Sequence, residues 1–182
     1  MYGIVYHSLM DYLNDNHSSY KWDAIMSELP DYPAGGFLLF ESYDDSTLIN
    51  MIGKAIETAK FEPTDLLINF GQYWVLETAP KHFGAFLTLA GSDIHQFMSN
   101  LNTVHDRASA LFPGYQPPSF RISGHLANGD LRIFYSSKRE GFENFVVGLL
   151  IGVCKRFNIN ATIKTRGALE TGESVFDVRL VS

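Results

Sequence analysis

The feature that most limits what this chain can fold into is a change of period about two-thirds of the way along. Up to about residue 115 apolar residues recur every three or four positions, as on the buried faces of helices. Ile4, Val5, Leu9, Tyr12 and Leu13 set out a first helix, and Trp22, Ile25 and Met26 a short second one stopped near Pro30. After the breaker-rich loop Asp31-Tyr32-Pro33-Ala34-Gly35-Gly36, Leu48, Ile49, Ile52, Ala55, Ile56 and Ala59 mark a third. Pro63 stands early in the next, which carries Leu66, Leu67, Phe70, Trp74 and Val75. A further helix runs from about Ser92 to Phe112. Beyond Pro117-Pro118 the period becomes two. Ser119 to Leu126 and Leu131 to Ser137 read as strands joined by a type I′ turn at Asn128-Gly129. An apolar helix from Phe142 to Phe157 follows, with Gly148 and Gly152 on one face for close approach to a neighbour. Ile159 to Thr165 and Val175 to Val181 form a second hairpin through Thr171-Gly172-Glu173. Helices followed by a ββαββ unit predict an α+β fold with an antiparallel sheet, in one domain spanning 1–182.

Composition excludes several function classes. The net charge is -6 with no basic block, which argues against nucleic acid as a partner. A single cysteine, Cys154, rules out an intrachain disulfide and a multi-cysteine metal site, and it reads as a small buried hydrophobe. Met1-Tyr2-Gly3-Ile4-Val5 does not read as a signal peptide, and the apolar run Phe145 to Cys154 is too short to span a bilayer. The expected compartment is cytoplasmic, without membrane insertion.

Three short segments carry chemistry. In the Ser92–Phe112 helix, Ile94, Phe97, Met98, Leu101, His105, Ala108 and Phe112 form one stripe, so His105 replaces an apolar residue on the inward face. Taken alone, such a histidine is more often a core residue hydrogen-bonded to backbone. Thirteen positions later comes the stiff Pro117-Pro118. On a strand, Tyr135, Ser137 and Arg139 would project the same way, offering two hydroxyls and a guanidinium fork suited to carboxylates. Taken alone, that polar face is more often a solvated edge strand. Together, an imidazole and a carboxylate clamp are what a haem needs: an axial ligand for the iron and partners for two propionates.

In combination these residues resemble the haem nitric oxide/oxygen-binding (H-NOX) family, related to the regulatory haem domain of soluble guanylate cyclase. The resemblance covers essentially the whole chain. It includes Met1-Tyr2-Gly3-Ile4-Val5, Phe70-Gly71-Gln72-Tyr73-Trp74-Val75, His105, Phe112-Pro113-Gly114-Tyr115-Gln116-Pro117-Pro118-Ser119-Phe120, Tyr135-x-Ser137-x-Arg139 and Gly148-Leu149-Leu150-Ile151-Gly152. It implies a helical lobe of about 1–115, a sheet lobe of about 116–182 with four antiparallel strands, and haem b (iron protoporphyrin IX) between them. By the same resemblance His105 ligates the iron, Tyr135, Ser137 and Arg139 bind the propionates, and Pro118 presses on the porphyrin.

Dioxygen on ferrous haem is retained by a hydrogen-bond donor, whereas nitric oxide and carbon monoxide need none. Where dioxygen-binding members carry a tyrosine, counting back from Gly148 gives Phe145 here, with Asn144 one register step away. Trp74 from the earlier helix and Ile4 and Val5 from the first complete the expected apolar distal pocket. The resemblance therefore implies a nitric oxide and carbon monoxide sensor that excludes dioxygen and is not itself an enzyme. Release of the His105 helix would shift one lobe against the other. A separate effector would read that shift, a histidine kinase or a cyclic-di-GMP enzyme in bacterial stand-alone relatives. Two other readings stay open: a haem-free module for another hydrophobic ligand on the same fold, and a haem enzyme.

Overall fold

The computed structural model describes residues 1–112, 114–123 and 130–181. They form two compact units, Met1–Leu66 and Leu67–Ser182.

The first unit holds α1 (Gly3–Asn16), α2 (Trp22–Met26), α3 (Asp45–Ala59) and the first residues of α4 (Pro63–Tyr73). Its core is the apolar face that the spacing predicts, with Leu9, Leu13, Trp22, Met26, Leu48 and Met51 fully buried. The loop from α2 to α3 is held by rings and backbone. Phe37 stacks on Tyr6 at 4.2 Å and meets Tyr43 edge-on at 4.9 Å. The Gly3 and Ile4 amides donate to the Glu41 and Leu39 carbonyls, both at 2.9 Å. Asp44 caps α3 by accepting from the Ser46 amide at 2.8 Å, satisfying one free N–H of the first turn.

In the second unit α4 does not end at Tyr73. It continues through one π-helical turn, Trp74–Thr78, into α5 (Ala79–Ala90). The sequence reading has no helix at α5. Pro80 supplies no N–H to the ladder that runs on from the π turn, and the helix breaks its geometry at Phe83. These interruptions hide the period. Next comes α6 (Ile94–Leu111), capped by the Asp93 side chain on the Gln96 amide at 2.9 Å. Its apolar stripe is buried at Ile94, Phe97 and Met98 but only half-buried from Leu101 through His105 to Ala108. The inward face expected along the whole helix is thus sealed at the N-terminal end alone.

The strands β1 (Ser119–Ser123), β2 (Leu131–Ser136), β3 (Ala161–Ala168) and β4 (Ser174–Leu180) pair antiparallel in the order β1-β2-β4-β3. The expected Asn128-Gly129 turn lies outside the described residues. Two expectations need correction. β2 ends at Ser136, so Ser137 and Arg139 are not strand residues. β2 is also an inner strand with Tyr135 8% exposed, so the solvated-edge reading does not hold. Between β2 and β3 runs α7 (Glu143–Arg156). A Cβ on Gly148 would collide with the Ile68 carbonyl, and one on Gly71 with the Phe145 carbonyl. A Cβ on Gly152 would stand 2.8 Å from Val75 Cβ. These glycines let α7 cross α4 and the π turn backbone to backbone, the close approach read from their spacing.

Candidate functional site

His105 lies on α6, and its Nδ1 is buried with no hydrogen-bond partner. Burial pushes the ring's pKa down to about 4, against weaker upward pulls from the Pro118 backbone and the Asp106 carboxylate. At neutral pH the imidazole is therefore uncharged, the form that can give a lone pair to a metal. An unsatisfied polar atom in a protein interior is costly, so the buried Nδ1 is an atom that calls for a partner.

A chain of rings leads from this helix into the sheet. His105 lies 5.9 Å from Phe120 on β1, Phe120 lies 5.3 Å from Tyr135 on β2, and Tyr135 meets Phe176 on β4 at 6.3 Å. The α6–β1 junction is held by Asn102, one turn before His105. Its amide donates to the Phe120 carbonyl at 2.6 Å, and its oxygen accepts from the Phe120 amide at 2.9 Å. This copies the pairing of a neighbouring strand.

Tyr135, Ser137 and Arg139 do come together, through a bend after β2 in place of strand alternation. Ser137 Oγ accepts from the Arg139 amide at 3.1 Å, a local side-chain turn that folds the guanidinium back. Arg139 Nη1 then donates to the Gln116 carbonyl at 3.2 Å, tying the bend to the segment that leads into Pro117-Pro118. Burial raises the Tyr135 hydroxyl's pKa, with Ser137 pulling it back down. Tyr115 joins the cluster: burial raises its pKa first, and the Arg139 charge acts against that. Both phenols stay protonated at neutral pH and can donate. The cluster offers a guanidinium and hydroxyl donors, which is the chemistry of a carboxylate receptor. Sequence reasoning singled out neither Tyr115 nor Asn102. Asn102 lies off the apolar stripe and resembles any solvent-facing helix residue, and Tyr115 sits among loop residues without period.

Pro118 is half-buried directly before β1. Trp74 opens the π turn, and Phe145 on α7 lies 5.0 Å from the buried Phe70 ring, both half-buried. Asn144 beside it is half-buried as well. Ile4 is buried and Val5 half-buried on α1 of the first unit. No described helix is long and apolar enough to cross a membrane.

A helical chain that closes in a ββαββ sheet is the architecture of the haem-binding H-NOX gas-sensor domains. The chain belongs to the Haem-NO-binding family, whose family model matches residues 2–165. It is 23% identical over 150 residues to soluble guanylate cyclase gcy-31 of Caenorhabditis elegans, covering 81% of this chain and 21% of that protein. It spans about a fifth of the length of that protein and of soluble guanylate cyclase 89Db of Drosophila melanogaster (21% and 23%). A mutant H-NOX protein from S. oneidensis in the Fe(II) ligation state superposes with a TM-score of 0.87 at 19% identity, over 100% of this chain and 97% of that one. The S. oneidensis H-NOX protein in the Fe(II)NO ligation state gives 0.85 at 19% identity, over 100% of both chains. At such identity these likenesses establish the fold.

Proposed function

We propose that this chain is a single domain, 1–182, that binds haem b between a helical lobe of about 1–115 and a sheet lobe of about 116–182, and senses nitric oxide. The observation that carries this reading is His105: a half-buried, uncharged imidazole whose Nδ1 is buried and unpartnered, on a helix linked through Phe120 to the Tyr135 cluster. When bound, ferrous haem supplies an iron that takes one protein ligand and one diatomic gas. His105 is the residue to give that ligand. Arg139, Ser137 and Tyr135 hold the propionates, whose charge would otherwise be buried unpaired at a cost of several kcal/mol. Pro118, between the His105 helix and β1, bears on the ring.

Trp74 and Phe145 are the gas-side residues of the second unit. The packing of the Phe145 ring at 5.0 Å from buried Phe70 supports Phe145 over Asn144 as the pocket residue. A phenyl ring has no donor for bound dioxygen, which favours nitric oxide and carbon monoxide. A change in the hold on His105 moves α6, and a separate effector with different affinity for the two arrangements reads it; about 1–3 kcal/mol of coupling suffices. The effector is a histidine kinase or a cyclic-di-GMP enzyme, to which the guanylate cyclase relatives add a nucleotide cyclase as a third class. The chain acts as a cytoplasmic sensor without catalysis of its own.

The test is the absorption spectrum of the purified chain after expression with haem supply. A Soret band is expected, lost or much reduced in His105→Gly and recovered with added imidazole. A wild-type chain with no Soret band would overturn the reading and favour the haem-free module; peroxidase turnover well above free haem would favour the enzyme.

A further inference from the structure

Alternation sorts the sheet into two faces. Phe120, Ile133, Tyr135, Phe176 and Val178 lie in the core of the second unit. The register puts the other set together: Arg121 on β1, Arg132 on β2, Arg179 and Asp177 on β4, and Lys164 on β3. Arg166, at the irregularity between Thr165 and Gly167, reaches the same face.

Asp177 is 1% exposed and works as a shared anchor. Its Oδ1 accepts from Arg132 Nε at 2.7 Å, and its Oδ2 from Arg132 Nη2 at 3.1 Å and from Arg166 Nε at 2.7 Å. Each guanidinium has five N–H donors, so most remain for another acceptor. Arg121 is held differently, 3.8 Å over the Phe134 ring and 3.2 Å from the Glu173 carboxylate. Arg121, Lys164, Arg166 and Arg179 are exposed. This face therefore gathers five of the fourteen Lys and Arg residues, set against Asp177, Glu173 and, directly before β2, Asp130, whose carboxylate accepts from the Leu180 amide, out of twenty acidic residues. In contrast, residues 1–66 hold eleven acidic and three basic side chains.

We propose that this outer sheet face is a docking surface for an acidic segment of a partner protein. Charge complementarity carries the assignment. An acidic chain repels acidic partners everywhere except at a cationic face, which fixes orientation and raises the encounter rate. Arginines already held by Asp177 and Phe134 lose little side-chain freedom when a carboxylate arrives. The charges are spread over four strands about 4.8 Å apart, so they match an extended acidic polypeptide better than a small anion. A second copy of the chain is a poorer occupant. It brings another net -6, and its acidic residues 1–66 against the sheet would make a head-to-tail contact in place of the commoner two-fold one. The proposal shares with the sensor reading only the idea of a separate protein partner, and needs neither haem nor gas.

The test uses the full chain and a fluorescein-labelled twelve-residue Glu-Ser repeat peptide, followed by polarisation at low and high salt. Salt-sensitive binding is expected. It should weaken about tenfold or more in the triple variant Arg121→Gln, Lys164→Gln, Arg179→Gln, and stay within about twofold in Lys21→Gln, Lys54→Gln, Lys60→Gln. The pair Lys164→Gln, Arg179→Gln leaves the Arg121–Phe134 and Asp177 contacts intact, and should lose several-fold affinity should the triple variant fold poorly. Amide shifts should concentrate on β1 to β4. Equal losses in the two triple variants would overturn the proposal. So would tighter binding of duplex DNA or phosphatidylserine vesicles than of the peptide, or salt-reversible self-association in place of peptide binding. The Soret band of each variant is recorded alongside, since an unchanged band with lost peptide binding separates this proposal from the haem reading.

Discussion

Asn102 and His105 sit one helical turn apart on α6, and the sequence offers no sign that the first secures the surroundings of the second. Asn102→Ala would leave the Phe120 amide and carbonyl without their partner, a loss of about 1–3 kcal/mol. Urea unfolding should show that as a lowered midpoint at unchanged slope; an unchanged midpoint would mean that water replaces the side chain. Asp177 gives a second residue-scale expectation. Its hydrogen bond with Arg132 is the largest influence holding its carboxyl down at about 2, with Arg166 adding to it. The unfolded chain's carboxyl takes up its proton near 3.8, before the native one does. Stability from this site is therefore present above about pH 4 and lost as pH falls through 2, a span worth about 1–2 kcal/mol. Asp177→Asn should remove that part of the acid limb, and a variant whose acid limb matches the wild type would contradict the assignment. Tyr135, Ser137 and Arg139 were legible as a group from spacing. The means of grouping was not, because whether a strand continues or bends at Ser137 depends on a local Ser–amide bond that competes with the ladder.

Among the elements, the crossing of α7 with α4 has the clearest consequence. Gly148→Ala puts a methyl against the Ile68 carbonyl, which is backbone and cannot turn aside, so the two helices must part. A loss of about 1–3 kcal/mol is expected in thermal or urea unfolding. Gly53→Ala on α3, where a Cβ meets nothing within 4 Å, should be neutral or stabilising by up to about 1 kcal/mol. Equal effects at the two positions would show that helix propensity and not the close approach governs. The spacing of Gly148 and Gly152 announced this approach. It could not announce the π turn at Trp74–Thr78 or α5 behind it, since an extra residue per turn shifts every later side chain and breaks the period that reveals a helix.

For the whole molecule, the proposed gas preference is the property to test. The proposed distal wall carries Phe145 in place of a phenol donor, so the reduced protein should bind nitric oxide and carbon monoxide. It should show no stable dioxygen-bound spectrum in air. A persistent spectrum of that kind would indicate a donor in the pocket, and Asn144→Ala would then be the variant to compare.

The sequence alone determined the helix-then-sheet order, the apolar faces of the elements, and the histidine, proline and Tyr-x-Ser-x-Arg residues of the candidate site. These depend on local period and on residue type. Tertiary structure decided whatever depends on residues far apart in the chain. His105 is uncharged because other elements bury it, and β2 is an inner strand because β1 and β4 flank it. Five basic residues with no block among them in the sequence become one face because strand pairing sets their register. Burial and pairing are relations between distant segments, and one-dimensional spacing does not carry them.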